Sequence, residues 1–244
     1  MLTKDQLWMK ALKYDMLAQY YKYVNPSMHV YYYQKHFKYM NRTFHMTRQQ
    51  KPEGYLRFIH AHLGEQPVDI YINGYRILQN VPFKKQSTYY KLPVGRYHID
   101  VYPAGQMVSV LVSRRITVQA NDFMTLAIFG KEEQPQIKVI EDNPDTNKKT
   151  SKLRVIHLAP NSPEISVSVE KGETLFKSVP YKGITEYLVV SPMTVTLAAT
   201  ISGTNETILE IPNLTLEKEI AYSIVIVGTN KTEQAIEAII LKGA

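Results

Sequence analysis

Leu56-Arg57-Phe58-Ile59-His60, followed by Pro67-Val68-Asp69-Ile70-Tyr71-Ile72-Asn73-Gly74 and then by Val81-Pro82-Phe83-Lys84, decides how the chain is read, because it occurs twice. Leu153-Arg154-Val155-Ile156-His157 leads in the same order to Ile165-Ser166-Val167-Ser168-Val169 and to Val179-Pro180-Tyr181-Lys182. His60 and His157 are 97 positions apart, whereas Tyr89 and Tyr187 are 98 apart. The extra residue falls where Asn73-Gly74 is replaced by Glu170-Lys171-Gly172. An insertion confined to a hairpin tip is what a duplicated β-domain tolerates.

Outward from this stretch, the signals are those of short strands. Val68, Ile70 and Ile72 alternate with polar or aromatic neighbours, as in a half-buried strand. Asn73-Gly74 predicts a two-residue hairpin, because the turn needs positive φ at both central residues. Tyr75–Leu78, Thr88–Leu92, Arg96–Tyr102, Val108–Val118, Phe123–Phe129 and Ile137–Ile140 complete seven or eight strands, with turns at Pro93-Val94-Gly95 and Pro103-Ala104-Gly105. Residues 54–140 and 152–244 thus read as two antiparallel β-sandwich repeats. Between them the polar stretch 141–151 reads as a linker, and Gln49 to Gly54 as another.

The first fifty residues differ. Thr3-Lys4-Asp5-Gln6 has the form of a capping box, and Leu7, Ala11, Tyr14, Leu17 and Tyr21 recur at helical spacing, predicting a helix over 3–24 that Asn25-Pro26 stops. Met28 to Tyr33 is aromatic and β-prone, and Gln34 to Arg42 is compatible with a strand or a short helix. Eight of the eighteen Tyr, six of the nine Met and three of the seven His lie here. Trp8, Tyr14, Tyr20, Tyr21, Tyr23, Tyr31, Tyr32, Tyr33 and Tyr39 are the candidate interaction residues, since such side chains offer large contact area with a polar tip. The fold expected is therefore all-β, two tandem Ig-like sandwiches after a short helical, Tyr-rich segment.

The order Leu-Arg-Val-Ile-His, Ala159-Pro160 with Pro163, Asn73-Gly74, Val-Pro-aromatic-Lys, Leu92 to Tyr97 and Tyr102 to Gly105 resembles a bacterial family of uncharacterised domains, domain-of-unknown-function family 4397, in tandem Ig-like or transthyretin-like repeats. The resemblance covers residues 54–140 and 152–244 and implies no catalytic residues. It does imply a surface protein, and the Tyr-rich, Cys-free composition is similar to that of spore-coat proteins.

Composition narrows the function classes further. The absence of Cys excludes disulfides and thiolate sites. Residues 1–50 carry eight Lys/Arg against two Asp/Glu, while residues 141–244 carry ten against thirteen, so the basic charge sits at the start of the chain. Lys4, Lys10 and Lys13 interrupt any apolar run of the signal-peptide type, predicting synthesis in the cytoplasm without such a signal, with a spore coat or cell surface as destination. Lys22, Lys35, Lys38 and Arg42 interleaved with aromatics lack a nucleic-acid motif. His29, His36 and His45 have no metal-ligand spacing, and His60-x-His62 lacks a third ligand. His98 and Asp100 share a strand face without a nucleophile beside them. No Walker loop, nucleophile elbow or dinucleotide fingerprint is present. No catalytic, cofactor or metal site is therefore expected. The chain reads as a non-enzymatic structural or assembly protein whose partners are other protein chains, including its own copies through residues 1–50. The alternative is a carbohydrate or cell-wall-polymer binding module stacking sugars on Tyr71, Tyr75 and Tyr102.

Overall fold

The structure, a computed structural model, describes residues 2–47, 52–64, 66–170, 172–204, 206–229 and 235–243. Gln49 to Lys51 of the first linker and Lys171 of the second hairpin tip lie outside the described residues, as does the side chain of His45. The chain divides into two compact units, Met1–Lys51 and Pro52–Ala244.

The first unit is a hairpin of two helices, α1 (Lys4–Tyr21) and α2 (Pro26–Thr47). The capping box forms as expected, with Gln6 N donating to Thr3 Oγ1 at 3.3 Å and Thr3 N to Gln6 Oε1 at 2.9 Å. The extended reading of Met28–Tyr33 is corrected: these residues are helical, and α2 is long. Asn25-Pro26 starts a helix as well as ending one. Asn25 Oδ1 accepts from Met28 N at 3.2 Å, the Asn25 carbonyl accepts from His29 N at 3.0 Å, and Pro26 sits at the first helical position, where its missing N–H costs nothing. The β-propensity of the Tyr run yields to tertiary packing, for Tyr32 lies in the seam against α1.

The second unit is mostly β. Its first half holds β1 (Glu53–His62), β2 (Val68–Ile72), β3 (Tyr75–Val81), β4 (Tyr90–Pro93), β5 (Gly95–Pro103), β6 (Val112–Val118), β7 (Phe123–Lys131) and β8 (Gln134–Asp142). They form two four-stranded sheets, ordered β4-β1-β7-β8 and β3-β2-β5-β6. The second half repeats this with β9 (Ser151–His157), β10 (Ile165–Val169), β11 (Thr174–Val179), β12 (Leu188–Val190), β13 (Met193–Ile201), β14 (Thr207–Leu216), β15 (Ala221–Val227) and β16 (Glu237–Lys242). The orders are β12-β9-β15-β16 and β11-β10-β13-β14, the same topology eight strands later. Each half buries a core between its two sheets: Leu56, Phe58, Ile70, Ile99 and Leu126 in the first, and Leu153, Val155, Val167, Leu197 and Tyr222 in the second.

Three expectations change in detail. The sheets are not wholly antiparallel: β1–β7 and β9–β15 pair in parallel. The strand expected from Val108 begins at Val112, because β5 turns away at Pro103 and leaves residues 107–110 without a pairing edge; Val108 is 99% exposed. Glu141 and Asp142, read as linker, are the last residues of β8.

β1 is buried along almost its whole length, and so is β9. Alternation explains why. Leu56 and Phe58 enter the core of their own half, whereas Ile59 and Ala61 face the other way, into a third core shared with Ile156, Leu158, Val225 and Val227. The two halves are thus packed on each other through sheets β4-β1-β7-β8 and β12-β9-β15-β16, with Phe83 and Tyr181 flanking the contact.

Candidate functional site

The helical hairpin holds all nine aromatic residues singled out by sequence, and it divides them. On α1 the residues Leu7, Ala11, Tyr14, Ala18 and Tyr21 recur in alternating steps of four and three, the spacing of a helix–helix seam. On α2 His29, Tyr32, His36, Tyr39 and Thr43 do the same. Tyr14 stacks on Tyr39 at 5.4 Å and Tyr32 on Tyr21 at 5.5 Å between ring centroids. His29 Nδ1 donates to the Ala18 carbonyl at 2.8 Å and His36 Nδ1 to the Ala11 carbonyl at 3.0 Å. The seven-residue histidine spacing that fits no metal site is therefore a seam repeat, matched by two alanines small enough to let an imidazole reach the opposing backbone. A carbonyl only accepts, so both rings carry their proton on Nδ1.

Tyr14, Tyr21, Tyr32 and Tyr39 are thereby committed to the hairpin itself. Trp8, Tyr20, Tyr23, Tyr31 and Tyr33 lie outside the seam and are 46–87% exposed. Leu12 and Met16 continue the outward ridge of α1, and Val30 and Phe37 that of α2. Lys35 lies 5.4 Å above the Tyr31 ring and Lys22 5.4 Å above that of Tyr23, adding positive charge to the same surface.

The repeated histidines sit in the second unit, fully buried. His60 Nδ1 donates to the Val81 carbonyl at 3.0 Å, and His157 Nε2 to the Pro163 carbonyl at 3.2 Å. Burial holds the pKa of His60, His62 and His157 below the ordinary histidine value. Among the described residues no group of three or more His, Cys, Asp or Glu is placed to hold a metal ion. Of the three proposed sugar platforms, Tyr71 is corrected: it is buried, its ring packed edge-on against Tyr102 at 5.3 Å, while Tyr75 is 76% exposed.

Sequence reading missed a buried ion network between the two halves. Arg57 donates from Nε to Thr125 Oγ1 at 2.7 Å, and Arg154, its repeat counterpart, from Nε to Ser223 Oγ at 2.8 Å. Each then reaches across: Arg57 Nη1 donates to the Lys242 carbonyl at 2.6 Å, and Arg154 Nη1 to the Glu141 carbonyl at 2.8 Å. Both meet Asp142, at 3.3 Å and 2.5 Å, with the carboxylate only 2% exposed. Tyr89 covers Arg57 and Tyr187 covers Arg154, ring centroid to guanidinium carbon 4.6 and 4.4 Å. The Tyr89 hydroxyl also donates to Asp142 at 2.6 Å, and burial with the neighbouring Asp142 charge drives its pKa far up.

The Val-Pro-aromatic-Lys motif completes the contact. Lys84 and Lys182 both take φ +67, which turns each side chain toward the opposite half. Lys84 Nζ donates to Glu237 at 2.7 Å and Lys182 Nζ to Gln136 at 2.8 Å. The signal was present in the sequence, as Arg and Lys at matching places in both copies, but spacing alone does not show that they face each other.

Comparison with known proteins adds a family. The family described as Domain of unknown function (DUF4397) matches residues 54–168, from β1 through β10. No curated protein sequence matches the chain. Among solved structures, the Bacillus anthracis TIE protein shares 15% identity at a TM-score of 0.24, over 74% of this chain and 34% of that one. The CBM26-family CBMbc domain of Eubacterium rectale Amy13K, solved with maltoheptaose, shares 11% at 0.25, over 78% and 97%. The fimbrial anchor protein Mfa2 of Porphyromonas gingivalis shares 9% at 0.24, over 78% and 97%. This chain thus spans about a third of the TIE protein, and scores at this level assign neither fold nor function.

Proposed function

Starting from a chain whose residues 54–168 match the DUF4397 family, we propose a non-enzymatic assembly protein: a β scaffold of two Ig-like sandwiches, with the helical hairpin docking on another protein chain, at a cell surface or in a comparable assembly. The observation that carries this reading is the exposure of Trp8, Tyr20, Tyr23, Tyr31 and Tyr33, left outside the seam that uses the other four aromatics. Single exposed apolar residues are ordinary, but five large aromatics left outside the seam of one short hairpin favour an interaction role. The hairpin's own packing does not need these rings, so they are free to serve a partner. Nothing in the fold singles out a spore coat among such assemblies. No described helix is long and apolar enough to cross a membrane.

The test is association. Sedimentation velocity of the full chain and of W8A/Y20A/Y33A should show concentration-dependent association of the former that the latter loses, with unchanged helical circular dichroism. Identical monomeric profiles for both proteins would defeat the self-assembly form of the proposal.

A further inference from the structure

The face of sheet β3-β2-β5-β6 turned away from the core carries a second feature that the scaffold does not use. Ile99, Val101, Ile116 and Val118 point into the core, so their alternating neighbours Arg96 and His98 on β5 and Arg115 and Thr117 on β6 share the outer face. Together with Asn73 at the hairpin tip they line a recess of about 580 Å³.

Its electrostatics are unusual for this protein. Among the described residues of the β unit, Arg57, Arg76, Arg114 and Arg154 each donate to a carboxylate or a carbonyl. Arg96 and Arg115 have no ion-pair or hydrogen-bond partner there, and both face this recess. The neighbouring carboxylate, Asp100, is already taken by His98 Nε2 at 3.0 Å and by the Ser113 hydroxyl. Asn73 Oδ1 accepts from His98 N at 2.8 Å, which leaves the Asn73 amide group as a donor. The recess thus offers two free guanidiniums, an amide and a hydroxyl, with no unmatched acid.

The feature belongs to the first half alone. The corresponding positions in the second half are Thr194, Thr196, Asn213 and Thr215. The fold therefore does not require the cations, and an anion seated between the two diagonal positions would relieve their mutual repulsion.

We propose that this recess binds a phosphate-class oxyanion between Arg96 and Arg115. One guanidinium fork already satisfies a planar carboxylate; two forks on neighbouring strands lining one recess suit a tetrahedral group with three or more acceptor oxygens. The volume leaves room for whatever carries the phosphate.

The test uses the full chain titrated with inorganic phosphate and with polyphosphate, followed by calorimetry and by the Arg side-chain resonances. R96Q/R115Q should weaken binding about tenfold or more, the loss expected for charge-assisted donors. R96K/R115K, which keeps the charge but not the forks, should fall between it and wild type. K148Q/K149Q removes the same charge from an exposed loop and should stay within about twofold, since distant surface charges are screened. Saturation by inorganic phosphate identifies a free anion as sufficient; binding of polyphosphate alone identifies a polymer as the source. Equal losses in R96Q/R115Q and K148Q/K149Q, equal affinity for polyglutamate, or no response to either phosphate would overturn the proposal.

Discussion

Asp142 is one carboxylate serving two buried guanidiniums. It also accepts from Thr125 Oγ1 at 2.5 Å and from the Tyr89 hydroxyl. Replacing it by alanine strands both Arg57 and Arg154 in the contact between the halves. The expected loss is about 3–5 kcal/mol, the cost of breaking a buried pair from one side. Urea denaturation of Asp142→Ala measures it, and a loss under about 1 kcal/mol, the range of exposed pairs, would show the network to be incidental. The buried histidines make a second residue-scale prediction. His60, His62 and His157 are held neutral by burial, so below the ordinary value of 6.5 the unfolded chain takes up protons that the folded one does not. Their contribution is fully present above 6.5 and drains as the pH falls, by up to about 1.4 kcal/mol per histidine for each pH unit. The urea midpoint should accordingly drop between pH 7.5 and pH 5.5; a constant midpoint refutes it.

At the scale of elements, the hairpin shows how local preference and packing compete. Read locally, Met28 to Tyr33 favours a strand. The decision lies elsewhere, in the Asn25 cap and in the stacking of Tyr32 between Tyr14 and Tyr21, and no window along the sequence contains both partners. Ala18 is 0% exposed beneath His29, so Ala18→Leu has no room, and overpacking of this kind costs about 1–3 kcal/mol. Thermal circular dichroism at 222 nm should show the helical signal melting earlier in that variant; an unchanged melt means that the two helices do not approach as described. The strands were easier to read. Asn73-Gly74, with φ of +50 and +80, and the alternation of Val68, Ile70 and Ile72 each carry their information within a few residues. The start of β6 was not, because Val108 to Val110 look like strand but lie outside the paired register once β5 has turned.

For the whole molecule, the repeat was legible and its meaning was not. Leu-Arg-aromatic/Val-Ile-His and Val-Pro-aromatic-Lys look like internal needs of a sandwich. Three of the nine residues in each copy instead address the other: Arg57 and Arg154 across Asp142, Lys84 and Lys182 across the rim, and Ile59 and Ile156 in the shared core. Asp142 escaped notice because it belongs by composition to a polar linker, and its burial depends on a strand 97 positions from Arg57's own. The exposed aromatics of the hairpin, by contrast, were visible as composition, though only the seam tells Tyr20 from Tyr21. Finally, each half offers the other the same patch, and a contact of that symmetry closes on itself. The pair consumes its own adhesive surface. A third copy finds no vacancy on β1, β7, β9 or β15, so growth of any array must proceed through the outward sheets or the helices. In its own architecture the duplication is a stop, and its valence toward the outside is set by what the two halves leave uncovered.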